Sequence, residues 1–240
     1  MMINFESFCA NCNLLKERVE RATIASGRNP QSVKILPVTK THPLDAAEFS
    51  AQFGFDAVGE NKVQEASAKI EHAKNQNAKS ANIAWELIGH LQTNKVKKAV
   101  ENFARIQSVD SIKLLEKINS EAYKISKKQR ILLQINAGRD PAKFGAEIED
   151  APALLETALK LENISVEGLM TIAPLDEDLQ TAQRCFANLR NLRDKLTQQF
   201  SVELPALSMG MSHDLEIAIQ EGSTMIRVGT FLFGERNYAI

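Results

Sequence analysis

Lys34-Ile35-Leu36-Pro37-Val38-Thr39-Lys40-Thr41-His42-Pro43 decides how the rest of the chain is read. A short apolar run ends on a lysine, and a proline follows soon after. Such a run predicts a buried β-strand, too short for a typical helix and closed by a breaker. Lys40 then sits at the C-terminal tip of the first strand. In alternating β/α proteins that end of the sheet carries the chemistry. An amine held in a partly desolvated pocket loses its proton more easily than one in water, and uncharged it can condense with an aldehyde. The ordinary alternative is a lysine that snorkels to solvent from a strand end.

Outward from this strand, a strand and a helix alternate. Upstream, Leu14, Leu15, Val19 and Ala22 recur at helical spacing among charged residues, so 5–25 reads as a helix closed by Gly27 and Pro30. Downstream, the predicted strands are 55–59, 84–89, 104–109, 130–136, 164–170, 206–208 and 225–229. Helices are predicted between them, over 43–53, to Ile70, beyond His90, and over 111–125, 152–161, 178–200 and 213–220. The repeat length is about 30 residues, that of a βα unit. The predicted fold is α/β, a (β/α)8 TIM barrel with an extra N-terminal helix, as a single domain over 1–240. An open doubly wound sheet is the competitor, but no GxGxxG follows the first strand.

Composition agrees. A barrel of this kind commonly takes about 250 residues, and the chain has 240, with 44% hydrophobic and 25% charged. A formal charge of −1 argues against a nucleic-acid or anionic-membrane partner. No apolar run approaches the roughly 20 residues of a membrane span. The first residues, MMINFESFCANCNLLKERVE, lack a signal-peptide layout, so a cytoplasmic protein is expected. Cys9, Cys12 and Cys185 make no disulfide framework, and the CxxC of Cys9 and Cys12 lacks the partners of a zinc site, so no metal is expected.

A barrel would gather the strand ends Lys40, Asn61, His90, Asn136, Ser208 to Ser212 and Arg227 to Thr230 at one rim. Loops after strands seven and eight commonly hold a phosphate in this fold. Here they read Met209-Gly210-Met211-Ser212 and Gly229-Thr230. Gly210 permits close backbone approach, and Ser212 suits an N-cap whose neighbouring N–H groups face an anion. Simple capping is the alternative. Arg227 interrupts the apolar strand Met225-Ile226-Arg227-Val228 and needs a partner, either a protein carboxylate or a ligand atom. Ser212-His213-Asp214 is not a relay, because adjacent residues on one turn point in different directions. Lys95, Lys97 and Lys98 read as a solvated face.

The segments PVTKTHP (37–43), VGENKVQE (58–65), LIGHLQTNK (87–95), LLQIN (132–136), GLMTI (168–172), LSMGMSHD (207–214), AIQEGSTMIRVG (218–229) and LFGER (232–236) closely resemble the YggS/PROSC family of pyridoxal-phosphate-binding proteins. The resemblance implies the alanine racemase N-terminal-domain barrel, PLP fold type III, without the racemase's second domain. It implies that Lys40 holds pyridoxal 5'-phosphate as a Schiff base and that Ser212, Gly229 and Thr230 hold the phosphate. It also implies that Arg227 faces the pyridine nitrogen, and that Asn61, Ser208 and Met209 line the cofactor. His42 stands where many members carry a second lysine, and GRDPAKFG at 138–145 is a variable stretch in the family.

Two roles remain open at this point. An arginine accepts no proton, so it would leave the pyridine nitrogen neutral and the ring a weak electron sink. Racemisation survives such an arginine but needs a second base on the opposite face of the substrate, which the related racemase takes from the domain absent here; this chain ends about ten residues after strand eight. A non-catalytic carrier active in PLP homeostasis, with no catalytic residue, is therefore expected. An amino-acid racemase-like enzyme is the alternative, and a cofactor-free Schiff-base aldolase a weaker one. Apo PLP-dependent enzymes are the partners such a carrier implies, and a monomer is expected.

Overall fold

The computed structural model describes residues 3–174 and 178–234. Its elements run α1 (Phe5–Ala25), β1 (Lys34–Pro37), α2 (Asp45–Phe53), β2 (Ala57–Glu60), α3 (Val63–Asn75), β3 (Ala84–Leu87), α4 (Val96–Asn102), β4 (Arg105–Val109), α5 (Ile112–Lys124), β5 (Gln129–Gln134), α6 (Ala151–Leu159), β6 (Ile164–Met170), α7 (Leu179–Phe200), β7 (Ala206–Ser208), α8 (Leu215–Gln220), β8 (Met225–Val228) and α9 (Thr230–Phe233). All the strand pairs are parallel, in the order β1-β8-β7-β6-β5-β4-β3-β2. An isolated bridge from Val38 to Gly59 joins β1 to β2 and closes the barrel. The expected (β/α)8 fold is the observed one.

Local chemistry explains the elements. Asn4 caps α1 by accepting the Ser7 N–H at 2.8 Å. Phe8, Cys12, Leu15 and Val19 then fall on one buried face at helical spacing. The strands are short and buried on both faces, with apolar residues such as Leu87, Ile106 and Ile226 alternating with polar ones such as Glu86, Arg105, Gln107 and Arg227. One core layer lies between the barrel and its helices and includes Leu87, Ile106, Leu133 and Leu169 with Leu115, Leu155 and Phe186.

The barrel interior is partly polar. Arg227 donates to Ser208 Oγ at 2.8 Å, and Ser208 donates to Gln107 Oε1 at 2.6 Å. Gln107 Nε2 donates to Glu86 Oε2 at 2.6 Å, and Arg105 grips both oxygens of Glu86 at 2.9 and 2.7 Å. Arg105 also meets Glu167, which pairs with Arg130. A hydrogen-bonded column therefore runs through the barrel from its C-terminal mouth to its opposite pole.

Several boundaries differ from the sequence reading. The β1 ladder stops at Pro37, and the chain continues extended to the Val38 bridge. Helix α8 begins at Leu215, not His213. Helix α9 was not anticipated, being a single turn too short to show a period. Helix α1 braces this last part of the fold. Phe8 stacks on Phe233 at 5.2 Å between centroids, Asn11 Nδ2 donates to the Leu232 carbonyl at 3.3 Å, and Arg18 pairs with Glu216. Phe8 is fully buried. Its replacement, Phe8→Ala, is expected to lower unfolding free energy by about 3–5 kcal/mol in urea titration. A loss below about 1 kcal/mol would show that α1 unfolds independently of the barrel.

Candidate functional site

At the C-terminal ends of the strands lies a cavity of about 600 Å³. Lys40, Asn61, Ser212, Arg227, Gly229 and Thr230 all line it. Six of the eight residues expected to bind a cofactor are thus neighbours in space, although β1 and β8 are far apart in sequence. A larger cavity, about 830 Å³, lies at the opposite pole around Lys34, Glu86, Arg105 and Arg130. Its arginines already pair with Glu86 and Glu167, so it offers a ligand no uncommitted arginine.

Lys40 is half-buried where the chain leaves the barrel wall. Its backbone is anchored on both neighbouring strands: Val38 N donates to Val228 O at 2.8 Å and Thr39 N to Gly59 O at 3.0 Å. Thr41, just beyond, has φ 65°, a left-handed conformation that a β-branched residue adopts only under constraint. His42 packs its ring against Phe233, with centroids 5.2 Å apart, so it ties the β1 loop to α9.

Asn61 follows β2 and abuts Gly89, where a Cβ would lie 2.3 Å from the Asn61 carbonyl oxygen. Gly210 has φ 96°, and a side chain there would collide with Ala218 Cβ at 2.5 Å. Its carbonyl accepts the Arg227 N–H at 3.0 Å, which holds the loop after β7 against β8. Ser212 is not the N-cap that the sequence suggested. Asp214 occupies that position, and its Oδ1 accepts the Met211 N–H at 2.6 Å. The Ser212 carbonyl instead accepts from Arg18 Nη1 at 3.2 Å, so α1 also steadies this loop.

Ser208 and Met209 lie behind the cavity wall and do not line it. Both are fully buried. Ser208 faces the barrel interior, bonded to Arg227 and Gln107. Met209 faces the outer core, and its N–H is committed to Met225 O at 3.1 Å. Asn136 is also diverted from the rim, since its amide holds the following loop through Asp140 and Glu147.

The sequence reading missed Gln134, Ala142, Lys143, Phe144 and Ile172, which also line the cavity. Gln134 Nε2 holds the Phe144 carbonyl at 2.8 Å, and Phe144 stacks on His90 at 3.9 Å between centroids. His90 Nδ1 lies 3.6 Å from Asp110 Oδ2, and burial pushes the Asp110 carboxyl up while His90 opposes that. The available signal was position, because 137–145 follows strand five at the same rim. Burial pushes the Cys12 thiol up to about 12 and the Cys185 thiol up to about 11, so neither is a nucleophile near neutral pH. Among the described residues, no cluster of His, Cys, Asp and Glu has a metal-binding arrangement.

Arg227 is the least ordinary member of the site. It is 5% exposed, yet among the described residues its side chain bonds to two neutral oxygens, Ser208 Oγ and Thr171 O, both at 2.8 Å. Burial pulls its guanidinium down to about 10, with Asp214 partly opposing, so it stays charged at neutral pH. Donors only, facing a cavity with an amine and two hydroxyls, suit a ligand with an anionic group and a hydrogen-bond acceptor.

Residues 3–237 match the model of the family described as alanine racemase, N-terminal domain. A pyridoxal phosphate homeostasis protein from Aquifex aeolicus is 40% identical over 230 residues, covering 96% of this chain and 99% of that one. One from Synechocystis is 41% identical over 207 residues, covering 86% and 93%. The structure of Synechococcus elongatus PipY with PLP bound superposes with a TM-score of 0.77 at 37% identity, covering 90% and 98%. Alanine racemase from Clostridium difficile has a TM-score of 0.73 at 17% identity, covering 92% of this chain and 60% of that one, a likeness of fold.

The energetics of Arg227 give a test. The desolvation that lowers its pKa disfavours the charged form by about 3 kcal/mol. Two charge-assisted hydrogen bonds return about 1.5 kcal/mol or more each. These terms nearly cancel, so Arg227→Met is expected to move the unfolding free energy of the ligand-free protein by less than about 1.5 kcal/mol. A loss of about 3–5 kcal/mol in urea titration would instead mark it as half of a buried ion pair.

Proposed function

The chain belongs to the alanine racemase N-terminal domain family and, within it, to the pyridoxal phosphate homeostasis proteins, and from this premise we propose that it is a single-domain pyridoxal 5'-phosphate carrier. The observation that carries the proposal is one cavity lined by Lys40, Ser212, Gly229, Thr230 and Arg227. The donor set fits the cofactor: an amine for its aldehyde, hydroxyl and backbone donors for its phosphate, a buried cation for its ring nitrogen.

Bound pyridoxal phosphate supplies a reactive aldehyde and an electron-withdrawing pyridine ring. Lys40 would hold the aldehyde through its ε-amine. Ser212, Gly229 and Thr230 hold the phosphate, in the two loops where this fold commonly binds one. Asn61 lines the same cavity, and Arg227 serves the pyridine nitrogen. Ser208 acts through Arg227, whose guanidinium it orients, and Met209 packs beneath the site.

Arg227 weighs against most pyridoxal chemistry, although racemisation survives such an arginine. It presents N–H donors and no carboxylate, so it keeps the ring nitrogen unprotonated and the electron sink weak. The curated relatives bear the name of homeostasis proteins. We place the protein in the cytoplasm as a monomer that hands its cofactor to apo PLP-dependent enzymes. Among the described residues no helix is long and apolar enough to cross a membrane.

Three measurements test this reading. The reconstituted protein is expected to show the yellow band of a pyridoxal imine, bleached by borohydride, with the reduced group mapped by mass spectrometry to Lys40. Lys40→Ala should lack both. Turnover of D- or L-alanine or serine in the ordinary enzyme range, about 1–1000 per second, would overturn the carrier role in favour of a racemase-like enzyme. Delivery to an apo-enzyme faster than spontaneous release supports transfer.

A further inference from the structure

Beneath Lys40, and outside the cavity, lies a second group of charges. Lys69 on α3 is 9% exposed. Its ammonium donates to the Thr39 carbonyl at 2.9 Å, to Glu60 Oε1 at 2.6 Å and to Glu65 Oε1 at 2.8 Å, so all three of its N–H donors are used. Thr39 Oγ1 donates to the same Glu60 oxygen at 2.7 Å. Glu65 Oε1 also accepts the Thr41 backbone N–H at 2.6 Å. The carbonyl before Lys40 and the amide after it are therefore bound to one ionic cluster.

The cluster acts at a thin part of the wall. Between β1 and β2 the wall has one isolated bridge, Val38 to Gly59, and no continuous ladder. Thr41 sits at φ 65° immediately after Lys40. A conformation of that kind persists only when its surroundings over-determine it. The Glu65 carboxylate on the Thr41 N–H, and the Thr41 hydroxyl on the Lys40 carbonyl at 2.5 Å, supply that constraint.

Stability alone is a poor explanation. A buried ion pair often contributes no more than an apolar replacement, and its best-attested use is to fix register. Here Glu60 is fully buried, and its Oε2 has no hydrogen-bond partner among the described residues. Burial raises its carboxyl pKa while Lys69 opposes the rise. The fold thus retains an incompletely satisfied carboxylate to keep Lys69 and Thr39 in place.

We propose that Lys69, Glu65 and Glu60 are positioning residues that fix the main chain on both sides of Lys40 and so aim its amine into the cavity. The proposal rests on the pyridoxal reading of that cavity. Lys69→Met would strand Glu60 as an unpaired buried charge and weaken the whole fold, so half-buried Glu65 carries the test. Glu65→Ala removes the acceptor for Thr41, whereas Glu65→Gln keeps an oxygen there. Pyridoxal phosphate is titrated into each protein by absorbance, the borohydride-trapped fraction is measured, and the cofactor-free forms are melted in parallel.

Glu65→Ala is expected to bind about tenfold more weakly, with a smaller trapped fraction and a melting temperature close to the parent's. Glu65→Gln should recover to within about twofold of the parent. Binding and trapping by Glu65→Ala equal to the parent's would overturn the proposal. So would affinity losses that merely track lower melting temperatures across the variants. A parent without the imine band overturns the pyridoxal reading itself, whereas a normal parent with an unaffected Glu65→Ala overturns only the positioning role.

Discussion

A parallel barrel is complete only when its first strand meets its second, and here they meet at one backbone bridge. Elsewhere adjacent strands pair from β2 round through β8 to β1, over two or more residues except at β7 and β8, which pair at Ser208 and Met225. At the seam the fastening passes to side chains: Thr39, Glu60, Glu65 and Lys69 join the end of β1 to β2 and α3. A ladder would extend strand geometry past Lys40. The ionic fastening lets the chain turn sharply at Thr41 while remaining fixed. Lys40 therefore sits where the barrel has traded a regular interaction for a directional one.

The architecture was legible because its signal is periodic. Short apolar runs alternating with amphipathic stretches leave few topologies, and the absence of a glycine fingerprint after strand one narrowed them further. The rim was legible at one remove, since the fold fixes which strand ends share a face. Lys40, Asn61, Ser212, Arg227, Gly229 and Thr230 followed from that rule and from the family resemblance.

What failed was direction. Ser208 and Met209 are adjacent, so they point to opposite sides of the wall, one inward and one outward, and neither reaches the mouth. Asn136 is consumed by its own loop. Ser212 lost the cap to Asp214, two residues on, because the chain turns once more before helix α8. The Lys69 cluster left no trace in sequence beyond an ordinary Glu65–Lys69 helical pair, because its other contacts cross to β1 and β2. The end of the LFGER segment, Glu235 and Arg236, lies outside the described residues.

The column inside the barrel has a consequence for anyone redesigning the protein. Three hydrogen bonds, Arg227 to Ser208, Ser208 to Gln107 and Gln107 to Glu86, link the mouth to the salt-bridged far pole. Each member has its proton direction imposed by the next, so a change at Glu86 is passed through Gln107 to Ser208. The far pole is then a tuning screw for the mouth. Affinity could be adjusted there while every residue in contact with the ligand is left untouched.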